Sequence, residues 1–374
     1  MPTPHYEYSK GVILKIIETL LSVEFPFGLT VRYAVKANPH PEIIKLLAEK
    51  GIMFDTSSSY EATDLLTLGI AGRAISLSSQ QSPHNLPELL QAGVDFVVTS
   101  LHQLETYINT PNRRDTIAVR INPPVGYGHN NRTSTGGINS SFGIWHEYLD
   151  QVLSITKTAG IKINRIHIHF GSGADPSVWE EVAEVALAIM ERVSEATVLD
   201  IGGGFKVHRF GEEKEANMPA ILTMFKQKLN EFAKKTGRQL RLEIEPGTYM
   251  IAHAGILITT IDDIVDTGSE GYTFLRLNTG MNDFLRSSLY GARHKIEVIT
   301  NMTTTKDYVV VGHNCESGDI LTPASDNPEE IETRNLKEAK IGDEVRIYDM
   351  GAYCASMRAK GYNSFPSAPE YFVD

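Results

Sequence analysis

The sequence predicts a (β/α)8 barrel followed by a C-terminal antiparallel β domain. Eight short apolar runs lie between residues 31 and 247, most of them separated by amphipathic helical stretches, and the texture changes after about residue 250. The runs are 31–37 (VRYAVKA), 52–57 (IMFDTS), 73–78 (RAISLS), 95–100 (DFVVTS), 117–123 (IAVRINP), 165–171 (RIHIHFG), 198–204 (VLDIGGG) and 240–247 (LRLEIEPG). A stretch such as PEIIKLLAEKG has proline where a helix begins and glycine where it ends. Parallel strands need crossover helices, and eight such units over about 220 residues close into a barrel more naturally than they spread into a doubly wound sheet, which is the alternative.

Stretches 254–265, 271–277, 294–300, 307–312 and 343–349 read as strands between Gly, Asn and Asp turns, with no long helical pattern among them. The expected units are therefore a barrel over 28–250 and a β domain over 251–374, joined by the N-terminal segment 1–27. The polar stretch SDNPEEIETRN reads as solvated surface.

Composition narrows the function. The 374 residues are 41% hydrophobic and 22% charged, the balance of a folded chain. A net charge of −11 argues against broad binding of nucleic acid or anionic membrane, while leaving room for a local basic pocket. Two cysteines, Cys315 and Cys354, make a disulfide framework implausible, so a reducing cytoplasm is expected. The first ten residues lack the apolar core of a signal peptide, and no run of about 18 apolar residues exists to span a membrane.

The polar residues of the eight runs gather at their C-terminal ends: Lys36, Asp55, Arg120, Asn122, His169, Gly202 to Gly204, and Glu245. In a barrel those ends form the face that carries active sites. Lys36 in a barrel mouth is expected to lose solvation, which lowers its pKa and frees the amine as a nucleophile. Position alone fits a snorkelling surface lysine equally well. Gly202, Gly203 and Gly204 let backbone N–H groups approach a phosphate, or simply make a tight turn. Alternation puts His167 and His169 on one side. A lone interior histidine is usually a satisfied core group, but with Ser172 nearby it could stack on a ring while the serine reaches a phosphate. No third ligand for a metal is apparent. Alternation also puts Glu243 and Glu245 on one side, and a carboxylate there could keep a ring nitrogen protonated. In the second half, Cys315 and Glu316 within HNCESGD suit a proton donor beside an amine-binding acid; alone, a polar turn with an inert thiol is the simpler reading. Tyr353 could reach a phosphate or merely pack.

Taken in order, the motifs YAVKAN (33–38), FDTSSSYE (54–61), VRINP (119–123), SSFGI (140–144), HIHFGS (167–172), DIGGGF (200–205), EPG (245–247), LRSSLYGARH (285–294), CESGD (315–319), GAY (351–353) and YNS (362–364) resemble the fold-type III decarboxylases that use pyridoxal phosphate (PLP). The resemblance is strongest to the diaminopimelate decarboxylase branch, and TPHYEY at 3–8 resembles that family's opening strand. The resemblance implies that Lys36 forms a Schiff base with the cofactor, that His169 stacks on its ring and that Glu245 pairs with the ring nitrogen. It implies phosphate contacts from Ser172, Gly202 to Gly204 and Tyr353, with Asp55, Arg120 and Gly247 completing the cofactor set. Cys315, the proton donor, and Glu316 would enter from the second subunit of a head-to-tail homodimer. Arg286 and Tyr290 match positions that bind a distal substrate carboxylate.

Three departures bear on the substrate. Thr248 stands where the family has arginine, Ser141 where it has lysine before Phe-Gly, and Ser287 where it has proline. Losing a guanidinium removes a planar two-pronged donor, so the expected substrate is a diamino acid of the diaminopimelate, ornithine or lysine type or a modified or conjugated relative in a specialised pathway, and a standard lysine-biosynthetic role is not expected. The rival readings are a racemase on the same fold, which would set an arginine at the ring nitrogen, a non-catalytic PLP carrier, which would lack the β domain, and a metal-dependent barrel hydrolase.

Overall fold

The structure, a computed structural model, describes residues 1–126, 136–325 and 327–374. Eight parallel strands form the barrel: Leu29–Ala34, Met53–Thr56, Ile75–Leu77, Asp95–Val98, Thr116–Asn122, Lys162–Ile168, Val198–Asp200 and Arg241–Ile244. The first strand pairs with the eighth, Val31 opposite Ile244, and the fourth with the fifth, Val97 opposite Ala118. The sheet therefore closes, and the doubly wound alternative falls. Every expected run holds a strand. The strands stop short of the expected ends because the polar residues there turn out of the ladder; the seventh, expected to reach 204, ends at Asp200.

The crossover helices form for local reasons. Pro41–Glu49 opens with Pro41, whose missing N–H would lack a helical partner anyway, and Gly51 follows it at φ +76°. Its buried face is Ile43, Ile44, Leu46 and Leu47, each worth roughly 1.5–3 kcal/mol against the strands. Pro176–Arg192 and Met218–Thr236 are capped by Asp175 and Asn217, whose side chains accept from Ser177 N and Ala220 N.

Inside the N-terminal end of the barrel, Glu243 accepts from Arg32 Nε at 2.9 Å and Arg165 Nη1 at 2.8 Å, while Arg165 Nη2 donates to Ser76 Oγ at 2.8 Å. Burial alone would raise the Glu243 pKa, but Arg165 and Arg32 overcome it and hold the carboxyl at about 2. This layer closes the floor beneath the polar mouth.

The second sheet is centred on Gly255–Asp266, which pairs antiparallel with Thr273–Leu277, Glu344–Tyr348 and the N-terminal strand His5–Ser9. Ile296–Ile299 extends it beside Glu344–Tyr348. The sheet is not wholly antiparallel. Thr305–Val311 runs parallel to Thr273–Leu277, and a C-terminal strand missed in the sequence, Glu370–Val373, runs parallel to His5–Ser9. The stretch read as solvated surface is mostly exposed or half-buried, and it carries strands: Asn327–Ile331 pairs with Pro323–Ala324, and Arg334–Lys337 joins Thr305–Val311. Asp326, within that stretch, lies outside the described residues. Among the described residues, no helix is long and apolar enough to cross a membrane.

Candidate active site

The two sheets meet where the first strand ends. Tyr353 N donates to Ala37 O at 2.8 Å, Asn38 Nδ2 to Gly351 O at 3.0 Å and Ser356 Oγ to Ala37 O at 3.0 Å. These bonds clamp the 3-10 turn Val35–Ala37, which carries Lys36, against the β-domain loop that carries Tyr353. Tyr353 takes a left-handed φ of +58°, a costly backbone for a bulky residue, and the clamp holds it there.

Lys36 Nζ donates to Ser57 Oγ at 3.1 Å. The side chain is open to solvent through the mouth. The expected lowering of its pKa is not found. Burial, the largest single influence, does act downward, but Tyr353, Asp55 and Glu245 together outweigh it and the net direction is up. The sequence placed the lysine in the mouth but did not count the acids that share it.

Those acids come from different strands. Asp55 is the penultimate residue of the second strand, Asp200 ends the seventh, and Glu245 follows the eighth. His167, Asp200 and Glu245 offer ligand atoms all within 4.8 Å of one another, and His167 Nε2 lies 3.4 Å from Glu245 Oε2. The third potential metal ligand that the sequence did not reveal is therefore present, because strands adjacent in the barrel are distant in the chain. Burial, then Asp55, pushes Glu245 up to about 7. Burial also pushes Asp55 up to about 7, against the pull of Lys36. Asp200 is raised by burial and by Glu245. The acids are thus poised to hold or release protons near neutrality. Glu243 and Glu245 sit two residues apart with opposite shifts, since arginines meet one and acids meet the other.

Arg120, from the fifth strand, is buried with its guanidinium 5.1 Å from the centre of the Phe142 ring. His169 follows the sixth strand, and burial, then Arg120, holds it well below the usual histidine range, so it is neutral. Its ring packs against Gly202, where a Cβ would come within 2.6 Å of His169 Nδ1. Gly204, at φ +91°, could carry no side chain, because a Cβ would stand 1.7 Å from Gly171 O and 3.0 Å from Ser172 Cα. A Cβ on Gly247 would come within 3.0 Å of the Tyr353 hydroxyl. The glycines thus bring the ends of strands six, seven and eight close to Ser172 and Tyr353.

Five buried atoms here have no hydrogen-bond partner among the described residues: Asp55 Oδ1, His167 Nε2, His169 Nδ1, Asp200 Oδ2 and Glu245 Oε1. Such clustering is costly in a mere core, and its carboxylate oxygens and imidazole nitrogens fit the protonated ring nitrogen and hydroxyl of a bound aromatic ring, with the glycine-lined strand ends beside Ser172 and Tyr353 left for a phosphate. Pyridoxal phosphate has that donor and acceptor set, so the residues present suit it.

Other expected residues lie elsewhere. Arg286 and Tyr290 begin and end a short helix of the β domain, and Arg286 is close enough to lower the Tyr353 pKa, behind burial and Lys36. Cys315 and Glu316 sit on an exposed loop of the same domain. Asn363 Oδ1 accepts from Cys315 N at 2.8 Å, and the Tyr362 hydroxyl lies 3.2 Å from Glu316 Oε2. No contact among the described residues brings either to Lys36 within one chain. The sequence reading missed Arg209 and His294, which face Arg286. Arg209 lies in a polar loop with no periodic signal, and His294 had been read only as part of a motif.

Known proteins agree with this architecture. A family described as pyridoxal-dependent decarboxylase, pyridoxal binding domain, matches residues 15–252. Diaminopimelate decarboxylase of Escherichia coli strain K12 is 30% identical over 389 residues, covering 99% of this chain and 89% of that protein. The enzyme of that name from Streptomyces coelicolor is 29% identical over 383 residues, covering 100% and 84%. A crystal structure of Helicobacter pylori diaminopimelate decarboxylase complexed with L-lysine superposes with a TM-score of 0.86 at 28% identity, covering 100% of this chain and 92% of that one. A closed barrel with a poised lysine and acids at its mouth, matched along its length by these relatives, places the chain in the pyridoxal-dependent decarboxylase family.

Proposed function

We propose that this chain removes the α-carboxylate of a diamino acid, using pyridoxal phosphate held at the barrel mouth. The observation that carries the reading is that a clamped turn holds Lys36 at the end of the first strand, in a mouth where Asp55 Oδ1, His169 Nδ1, Asp200 Oδ2 and Glu245 Oε1 lie buried without hydrogen-bond partners among the described residues. Pyridoxal phosphate, when bound, supplies the sink for the electrons of the breaking carbon–carboxylate bond. Lys36 Nζ would tether the cofactor and yield its place to the substrate amine. Glu245 would hold a proton on the ring-nitrogen side, with His169 against the ring. Ser172, Tyr353 and the N–H groups of Gly202 to Gly204 would hold the phosphate, with Gly247 leaving room for Tyr353; Asp55 and Arg120 would balance charge around the tether.

Cys315 Sγ of a second copy would deliver the proton to the substrate carbon, and Glu316 would read a distal ammonium through a charge-assisted bond. Arg286 and Tyr290 would bind a distal carboxylate. We place the enzyme as a homodimer in the reducing cytoplasm, consistent with two free cysteines. A racemase would set a cation where Glu245 stands, so that alternative is not favoured.

The test is CO2 release from PLP-loaded protein given L-, D- and meso-diaminopimelate, ornithine, lysine, arginine and citrylated diamines. A conjugated diamino acid is expected to turn over fastest. Diaminopimelate as best substrate by a wide margin would refute the specialised-substrate reading, and racemisation without CO2 would refute decarboxylation.

Glu245→Gln should slow decarboxylation by roughly 10²–10³-fold, the usual range for a proton-holding group. It should also change the pH dependence of stability. An acid whose folded pKa is about 7 against an ordinary 4.5 contributes stability that is full below 4.5 and is lost as pH rises through 7. His167 and His169, with depressed pKa values, act in the opposite direction below the ordinary histidine range. Thermal melts of cofactor-free protein from pH 5 to 8 should therefore show a smaller fall, or a steeper gain, for Glu245→Gln than for the parent. Parallel curves would show that Glu245 does not titrate there.

A further inference from the structure

The end of the barrel opposite Lys36 holds a cavity of its own. Asp95, Thr116, Val198 and Arg241, which open the fourth, fifth, seventh and eighth strands, lie on its wall, so it sits at the N-terminal floor and not at the mouth. Its volume is about 60 Å³, and its charged lining is Arg32, Asp95, Arg114, Arg165, Arg241 and Glu243. Glu243 Oε2 accepts from Arg32 Nε at 2.9 Å and from Arg165 Nη1 at 2.8 Å, and its Oε1 accepts from Arg241 Nη2 at 2.8 Å. Asp95 Oδ1 pairs with Arg114 Nη1, while its Oδ2 stands 3.7 Å from Arg32 Nη2, beyond hydrogen-bond reach. Arg32 Nη1 is buried with no hydrogen-bond partner among the described residues.

Four guanidiniums thus share two carboxylates, an excess of two positive charges in a chain whose net charge is −11. Arg32 and Arg165 are almost wholly buried, so the excess is not simply dispersed into water. Water in the cavity could accept hydrogen bonds but could not neutralise it. Arg114 and Arg241 have side chains 40% and 47% exposed, and the cavity reaches solvent past them. Its size gives roughly four water-sized positions, the number of oxygens in a tetrahedral oxyanion and too few for an aromatic acid or a nucleotide. Guanidinium forks converging on one space match such oxygens.

We propose that the floor of the barrel is a binding site for a free tetrahedral oxyanion such as inorganic phosphate, held by Arg32, Arg114 and Arg241 at the strand starts. The ion ties together the beginnings of the first, fourth, fifth and eighth strands, and its binding energy adds to the stability of the closed barrel. The site is independent of the decarboxylase reading, since it shares no residue with the group around Lys36.

The test titrates inorganic phosphate into PLP-loaded full-length protein by calorimetry, in chloride buffer of matched ionic strength, so that the phosphate position at the mouth is already filled. The parent should bind one phosphate with a dissociation constant of roughly 1 mM or tighter. Removing both half-exposed forks, Arg114→Met with Arg241→Met, should weaken binding by at least about tenfold. Asp95→Asn, which removes one of the two competing acids, should tighten it by about threefold or more, a gain that a merely structural role for the arginines would not produce. Phosphate should raise the melting midpoint of the parent and of Asp95→Asn but not of the double variant. The visible absorbance band should stay as it is in all three. A parent that binds no phosphate would mean that water alone fills the cavity. Unchanged affinity in the double variant, or weaker affinity in Asp95→Asn, would also overturn the site. Loss of the visible band on adding phosphate would place the ion at the mouth and overturn it too. If no amino acid releases CO2 yet phosphate binds in this pattern, the decarboxylase reading falls and the floor site stands.

Discussion

Lys36→Ala is expected to lower decarboxylation by about 10⁴-fold or more and to remove the visible absorbance band of the cofactor-loaded protein. Both losses follow from geometry. Lys36 is the amine that the clamp between Ala37, Asn38, Gly351 and Tyr353 holds in the mouth. No other lysine appears among the charges that act on Asp55, Glu245 or His169. The fold should survive, since Lys36 makes one side-chain hydrogen bond, to Ser57, and opens to solvent. The variant should also be more pH-sensitive than the parent. Lys36 lowers the pKa of both Asp55 and Glu245, so its removal pushes them further up and widens the window in which rising pH costs stability. Absorbance titration, turnover and melts at pH 6 and 8 check the three parts separately. A retained band in Lys36→Ala would mean that the cofactor is tethered elsewhere.

How far the sequence could be read depended on how local each signal is. Strand and helix signals are local: Pro41 and Gly51 bracket one helix, and the eight apolar runs each hold a strand. Glu370–Val373 was missed because EYFV is short and terminal, and it is a strand only because His5–Ser9 lies beside it. The site was legible wherever a residue type at a strand end suffices, as at Lys36 and Gly204. It was not legible where the outcome depends on which charges meet. Lys36 was expected to be depressed and is raised, because Tyr353 arrives from the β domain, Asp55 from the neighbouring second strand and Glu245 from the eighth, which only barrel closure brings near. Thr248 marks a missing cation, but the loop after the seventh strand holds Lys206, His208, Arg209 and Lys214, and nothing local in the sequence singles out Arg209, whose pKa burial and Arg286 lower. A contribution from a second copy, as proposed for Cys315 and Glu316, is less legible still, since it would depend on a surface that the sequence of one chain does not place.

That loop gives the other large effect. Cys315 is exposed, and its backbone is fixed by Asn363 on the same domain. If Cys315 serves the Lys36 site of a second copy, Cys315→Ala should lower turnover by roughly 10²–10³-fold while leaving cofactor absorbance intact. Lys36→Ala and Cys315→Ala should then rescue each other when co-expressed. A mixed dimer pairs one intact Lys36 with the partner's intact Cys315 in one site and places both defects in the other. Random pairing makes half the dimers mixed, so about a quarter of parental activity should return. The separately purified variants, measured alone, should show almost none. Mixed dimers isolated by two affinity tags and found inactive would mean that each chain completes its own site. Full activity in Cys315→Ala alone would assign the proton to another group. The geometry favours rescue, because the chain brings Lys36, Asp55, Glu245 and Tyr353 into one site, whereas Cys315 and Glu316 are exposed and make no contact with Lys36 among the described residues.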